Sequence, residues 1–222
     1  MEIVVYGNGA MARVFYSYAR HSMQIAGFTV DDDYCKSEEF CGLPLSPFSR
    51  VEERFSPDRY LMMIAVGYVE MNRLRERKYR EGLAKGYGFS RFVHPSVTMH
   101  DGVEIEGNCI VLDYVSIHPG CRIGQGTFIS SNVNIGHDCD IGEYNWINSG
   151  VAFGGGCKIG TGCFFGVNSS TAQNVHLGKK NFIAANTVIN RNTGDDEVYL
   201  SPSAEKFRLK SEAFLKFSGL AG

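Results

Sequence analysis

Positive charge is not in surplus. The 222 residues hold 22 basic side chains against 24 acidic ones, a balance that suits neither a nucleic acid nor an anionic membrane as partner. Long apolar runs are also missing: the longest, Leu61 to Val69, falls well short of the roughly 20 residues that a spanning helix needs. The N-terminus, Met1-Glu2-Ile3-Val4-Val5-Tyr6, has the pattern of a strand and lacks the basic leader of a signal peptide. Seven cysteines are present, but no two form a CxxC pair, the spacing that zinc and redox motifs favour. A reduced, cytoplasmic protein is expected, with no nucleic-acid partner and no membrane span.

What the chain does have is a six-residue period. From Val93, steps of six land on seventeen positions ending at Ile189, and only Thr171 among them is polar. Two residues before each large apolar side chain stands a smaller one, and Cys109, Cys121, Cys139, Cys157 and Cys163 all occupy that place. There a free thiol acts as a small buried hydrophobe. A fixed short period of this kind is the signature of a parallel β-helix. In Val133-Asn134-Ile135, strand alternation points Val133 and Ile135 inward and Asn134 outward. Gly136-His137-Asp138 then turns the corner, with Gly136 supplying backbone freedom. Three hexads close a coil of eighteen residues, so the repeat makes between five and six coils, stacked at about 4.8 Å.

Residues 1–88 have a different character. Strand-like segments at Ile3–Tyr6, Gln24–Val30 and Arg59–Val66 alternate with helical ones to Arg20, near Val51–Phe55, and over Glu70–Lys85. That order predicts a small Rossmann-like α/β domain of βαβ units. The turn Gly7-Asn8-Gly9-Ala10-Met11-Ala12 joins the first strand to the first helix, and Asp31 and Asp32 close the second strand. Such a turn brings a phosphate to a helix N-terminus, and the acids suit a ribose or base. A dinucleotide uses two such halves; one half fits a mononucleotide-sized ligand such as a nucleoside diphosphate sugar. Residues 89–193 form the β-helix domain, and residues 194–222 a capping tail with a helix over Ala204–Phe217 that covers the open coil end.

Of six histidines, His137 differs: it lies mid-corner and is followed by Asp138. One coil further on stands Gly155, inside the run Gly154-Gly155-Gly156. Bare backbone beside an imidazole suits a general base next to an N–H oxyanion donor. Only His100 and His118 stack one coil apart, so no metal is expected.

With Val4-Val5-Tyr6-Gly7-Asn8-Gly9, Asp31-Asp32, Val66-Gly67, Val93-His94-Pro95-Ser96 and the corner Ile135-Gly136-His137-Asp138-Cys139-Asp140-Ile141-Gly142, nearly the whole chain resembles one family. It is the left-handed β-helix acyltransferases that modify nucleotide-linked sugars: the N-acetyltransferases of bacterial surface glycan pathways and their sialic acid O-acetyltransferase relatives. The resemblance implies the left hand of the coil and a homotrimer with acetyl-CoA between neighbouring prisms. It implies an acyltransferase acting on an amino group of a nucleotide-linked deoxy sugar in lipopolysaccharide or O-antigen biosynthesis. His137 would be the general base, Asp138 its orienting partner, and Gly155 the oxyanion donor. Ala184 and Ala185 would pass the pantetheine arm, and Gly7, Asn8, Gly9, Asp31 and Asp32 would line the nucleotide site. Three departures stand out. Trp146 replaces a second histidine, Ser130 replaces an asparagine, and Leu200-Ser201-Pro202-Ser203-Ala204 replaces the usual ending. Trp146 is therefore a candidate for the acceptor pocket, with packing against the next subunit as the alternative. O-acylation of a hydroxyl and a non-catalytic nucleotide-sugar-binding trimer are the alternatives.

Overall fold

The computed structural model describes residues 1–219. The N-terminal part is a five-stranded sheet built from β1 (Glu2–Tyr6), β2 (Ile25–Val30), β3 (Glu39–Phe40), β4 (Leu43–Pro47) and β5 (Tyr60–Ile64), in the order β3-β4-β2-β1-β5. Helices α1 (Ala10–Ala19), α2 (Val51–Arg54) and α3 (Arg73–Ala84) connect and cover it. All pairings are parallel except β3 with β4. β3 and β4 form a hairpin, Glu39 facing Pro44 and Phe40 facing Leu43. Its two-residue turn, Cys41 and Gly42, has φ of 53° and 75°, both left-handed as a tight hairpin of this twist demands.

From Phe92 onward two-residue strands recur every six residues and stack every eighteen into three parallel faces of a prism. The docking face holds 92–93, 110–111, 128–129, 146–147, 164–165, 182–183 and 198–199. The neutral face holds 98–99 and each segment eighteen residues on, to 188–189. The charged face holds 104–105 and each eighteen on, to 176–177. The inward ladder is dry: Ile117, Ile123, Ile129, Ile135, Ile141 and Ile147 are fully buried.

Stacking dictates the corners. In Gly136-His137-Asp138 the left-handed residue is Asp138, with φ 55°. The same place elsewhere is filled mostly by glycine or by Asn108, Asn132, Asn168, Asn174 and Asn186, the residues that best tolerate this conformation, and also by Tyr114, Tyr144 and Lys180. Gly136 is glycine for a reason other than the expected backbone freedom: a Cβ there would sit 2.6 Å from the Gly155 nitrogen. The cysteines do more than fill space. Cys109, Cys121, Cys139, Cys157 and Cys163 each direct a thiol at the corner carbonyl fifteen residues on, at 3.0–3.2 Å. Thr127 does the same with its hydroxyl, at 3.0 Å from the Gly142 carbonyl. The position thus prefers a small side chain with a donor.

The outward residues differ by face. The charged face shows Glu104, Arg122, Asp140, Lys158 and His176; the neutral face shows Thr98, Ser116, Asn134, Ala152, Ser170 and Val188. The docking face shows Phe92, Ile110, Phe128, Trp146, Phe164 and Phe182, which pack with Phe15, Phe28 and Met63 of the N-terminal sheet and α1 in one continuous apolar cluster. The two parts therefore share a core. Tyr18 of α1 donates to Asp113 of the prism at 3.0 Å, and Ser131 donates to the same carboxylate.

The C-terminal helix, α4 (Ser211–Phe217), is shorter than the 204–217 expected, and Phe207, Phe214, Leu215 and Phe217 are exposed. A helix this short needs packing to hold it, and α4 buries no residue. The last coil is closed instead by Glu197, whose N–H donates to Asn181 at 2.7 Å, and by the strand Val198–Tyr199 paired to Phe182–Ile183. Residues 220–222 of the expected tail lie outside the described residues.

Two predictions follow from stacking and the joint. Gly142→Ala places a Cβ 2.8 Å from the Ile159 carbonyl and should lower stability by about 1–3 kcal/mol, read as a fall in the thermal midpoint; an unchanged midpoint would refute the clash. Burial alone would push the Asp113 carboxyl up, but hydrogen bonds from Ser131 and Tyr18 outweigh it and hold the group below its ordinary value. A depressed carboxylate stabilises the fold above its unfolded value, and that stabilisation is lost as pH falls through the folded one. Urea titrations from neutral into acid pH should therefore show a steeper loss for the wild type than for Asp113→Asn; matching acid limbs would overturn this.

Candidate functional site

Two chemically distinct places emerge. The first is a cleft of about 670 Å³ at the carboxyl ends of β2, β1 and β5, walled by Gly7, Asn8, Gly9, Asp31, Tyr34, Tyr68 and Trp146. β1 is followed by β2 on one side, and the chain later returns to its other side as β5. This reversal is where open α/β sheets bind ligands. Gly7, with φ 132°, leaves no room for a Cβ, which would meet the Ala65 carbonyl oxygen at 2.7 Å. Gly9 caps α1 with no side-chain cap and no acid in the first turn, so that turn's N–H groups stay free for an anion. Asn8 donates to the Tyr34 carbonyl at 2.9 Å, tying this turn to the segment after β2.

Asp31 stays half-exposed in the cleft while Lys78 donates to it at 2.6 Å. The Lys78 side chain is 7% exposed, also reaches Glu81 at 2.7 Å, and lies over the rings of Tyr6 and Phe48. Burial, then the charge of Asp31, pushes the Tyr6 phenol well above its ordinary value, so it stays a neutral donor. Asp32, expected in the nucleotide site, turns away: its carboxylate accepts from the Ser49 hydroxyl at 2.6 Å and N–H at 3.2 Å, and these bonds hold it below its usual value. Its neighbour in sequence faces the cleft because a 3-10 turn over Asp32–Tyr34 reverses the chain there.

Trp146 faces this cleft and is 7% exposed. Its indole stacks on Phe128 at 4.1 Å and donates to Asn148 at 3.0 Å. Arg75 lies 5.4 Å over the ring; burial pushes this guanidinium down to about 10. Lys78, Arg75, Tyr34 and Tyr68 were not singled out from the sequence. The signal for the last wall was present in the outward residues, apolar at every eighteenth position from Phe92.

The second place is the corner between the neutral and charged faces. His137 and Asp138 are exposed there, with Nδ1 of the ring 2.8 Å from the Asp138 carboxylate. A ring that donates from Nδ1 leaves Nε2 able to accept a proton. Nε2 points over Gly155: a Cβ on that glycine would lie 2.5 Å from it. Gly155 is buried, and among the described residues its N–H has no hydrogen-bond partner. Burial pushes the thiols of Cys109 and Cys163 up to about 12, so neither is a nucleophile at neutral pH. No group of three or more His, Cys, Asp or Glu among the described residues is arranged to hold a metal ion.

Within one chain these places stay apart. The neutral–charged corner is the one opposite the docking face, so the prism stands between His137 and the cleft. Ala184 and Ala185 follow Phe182–Ile183 at a third location, the corner between the docking and neutral faces.

No protein-family model matches the chain, and no curated protein matches it. Solved structures do. The acetyltransferase domain of PglB from Neisseria gonorrhoeae FA1090, in complex with acetyl coenzyme A, superposes with a TM-score of 0.79 at 21% identity, over 89% of this chain and 94% of that one. A mutant perosamine N-acetyltransferase from Caulobacter crescentus, in complex with CoA and GDP-perosamine, gives 0.72 at 20% over 89% and 92%. WeeI from Acinetobacter baumannii AYE gives 0.73 at 18% over 89% and 95%. These likenesses establish the fold: an N-terminal α/β domain followed by a left-handed parallel β-helix.

Proposed function

We propose that the protein is an acetyl-CoA-dependent N-acyltransferase acting on the amino group of a nucleotide-linked amino deoxy sugar, in bacterial surface glycan biosynthesis and in the cytoplasm. The observation that carries the reading is the His137–Asp138 pair over the unpaired Gly155 N–H. It sits on a fold shared with a domain bound to acetyl coenzyme A and an enzyme bound to GDP-perosamine.

The acceptor's nucleotide part fits the cleft, its diphosphate at the free first turn of α1 and its ribose or base by Asp31. The acceptor nitrogen attacks the thioester carbonyl carbon, and Nε2 of His137 accepts the proton that the nitrogen loses. Asp138 holds the tautomer in which Nε2 is free. The Gly155 N–H stabilises the oxyanion of the tetrahedral intermediate, an effect worth about 3 kcal/mol in comparable sites. Collapse expels the CoA sulfur as the leaving group and leaves an amide on the sugar. Both substrates held in one groove supply much of the rate by proximity.

The separation of the two places argues for a homotrimer. The docking face is occupied by the chain's own N-terminal domain, and the charged face suits water. The neutral face has no outward charge, as the core of an interface requires. Packing it around a threefold axis sets the His137 corner of one chain beside the docking–neutral corner of the next. That corner carries Ala184, Ala185 and the neighbouring cleft, where the pantetheine arm would pass.

His137→Ala should lower kcat/KM by roughly 10²- to 10⁴-fold with the thermal midpoint intact, since the ring is exposed. Near-normal kcat/KM with the right substrate pair would sink the assignment. Gly155→Ala should do comparable damage by displacing the imidazole. In solution the mass should be three times 24.6 kDa by light scattering. Coexpressed His137→Ala and Asp31→Lys chains, each inactive alone, should regain activity in mixed trimers; no recovery would place both halves of the site on one chain.

A further inference from the structure

We propose that the end of the cleft beside β5 is a subsite for the acceptor's sugar ring, with Tyr68 and Trp146 against the ring's apolar C–H face. This rests on the nucleotide-sugar reading above. β1 lies between β2 and β5 in the sheet, so the cleft runs from Asp31 and Tyr34, past the turn before α1, to Tyr68 and Trp146. A ligand with its diphosphate at the central turn has one end beside a carboxylate and the other against aromatic rings. Hydroxyl-bearing ribose belongs at the first, where Asp31 accepts hydrogen bonds. The second end suits a hexose face stripped of hydroxyls, because a hydroxyl buried against rings has no partner.

The aromatic wall is built for occupancy. On the docking face Phe128 stacks on Trp146 at 4.1 Å and 27°, and Phe164 on Phe182 at 4.6 Å and 6°. The column breaks between Trp146 and Phe164, where Tyr68 leans on both, at 5.4 and 4.6 Å. Tyr68 is nonetheless 49% exposed. It comes from a segment held against its preference: Glu70, Met71 and Asn72 follow with φ of 54°, 50° and 65°, three successive left-handed residues without a glycine. Strain of this kind gathers at binding sites. Buried Asn72 holds it, donating to the Cys163 carbonyl at 3.3 Å and accepting from Arg75 at 3.2 Å. Arg75 has no carboxylate within ion-pair distance among the described residues, and its cation lies over the indole instead. Phe128, Asn148, Arg75 and Tyr68 all contact the indole and hold it in place. A rigid aromatic anchor loses little entropy on binding.

Trp146 is the chain's single tryptophan, so its emission reports this subsite alone. The test titrates wild type, Tyr68→Ala and Tyr68→Phe with UDP, GDP, GDP-perosamine and a UDP-linked amino deoxy hexose. The sugar nucleotide of the preferred base should shift the emission, while the bare diphosphate leaves it in place. Tyr68→Ala should weaken the sugar nucleotide about tenfold and the diphosphate less than twofold, and Tyr68→Phe should restore wild-type affinity. If no nucleotide binds, the proposed function fails and this inference with it. If both kinds bind but the emission is silent, or Tyr68→Ala weakens both alike, the inference alone is overturned.

Discussion

Coil-on-coil stacking is the constraint from which the rest of this molecule follows. Strands one layer apart sit about 4.8 Å from each other, and every side chain meets the residue eighteen positions away. A residue's identity is therefore set by its neighbour along the axis as much as by its own place in the hexad. Where backbone crosses backbone closely, as at Gly136 beneath Gly155, no Cβ fits. Where a corner carbonyl would otherwise be buried without a donor, a thiol or hydroxyl reaches it. His137 owes its setting to the same rule, since the glycine that stacking puts next to it is what leaves Nε2 uncovered by a side chain.

The repeat also explains how a second domain is attached. A free-standing prism presents three faces to water. This one devotes one face to aromatic and aliphatic residues and buries it beneath the N-terminal sheet, so a single apolar cluster runs through both parts. The joint is polar at its edges, through Tyr18, Asp113 and Ser131 on one side and Asn72, Arg75 and the Cys163 carbonyl on the other. Apolar area supplies the attraction and hydrogen bonds set the angle. An angle fixed in this way determines which way the cleft opens.

The architecture is legible because period six is strong and unbroken over seventeen positions, and because the turns from β1 into α1 and from β5 toward α3 carry Gly7, Gly9 and Gly67. His137 over Gly155 was legible for the same arithmetic reason. What was not legible depends on direction. Asp31 and Asp32 are adjacent and chemically alike, yet a 3-10 turn sends one to the cleft and the other to Ser49. Gly136 reads in the sequence as relief of backbone strain, whereas the positive φ belongs to Asp138; a glycine's letter does not distinguish lack of room from positive φ. Apolar letters from Phe207 to Phe217 suggest packing and so a longer helix than the structure has, but among the described residues α4 buries none of its side chains. The docking face lay in view but needed a third period: the outward positions had to be compared at eighteen rather than averaged at six.

The site's division across the prism is the last consequence of that geometry. A β-helix is too stiff to bend a corner toward a face on its far side, and the cleft is held by a joint that shares the prism's own core. No hinge within one chain can bring Nε2 of His137 to a ligand lying against Trp146. Chemistry that uses both places has to place the histidine of one chain beside the cleft of another. The distribution of charge leaves one face free for that contact, since the docking face is covered and the face carrying Arg122 and Asp140 already pairs its charges across coils. Under the function proposed above, activity would depend on assembly, and a substitution on the outward residues of the neutral face would act on it through the distance between two chains.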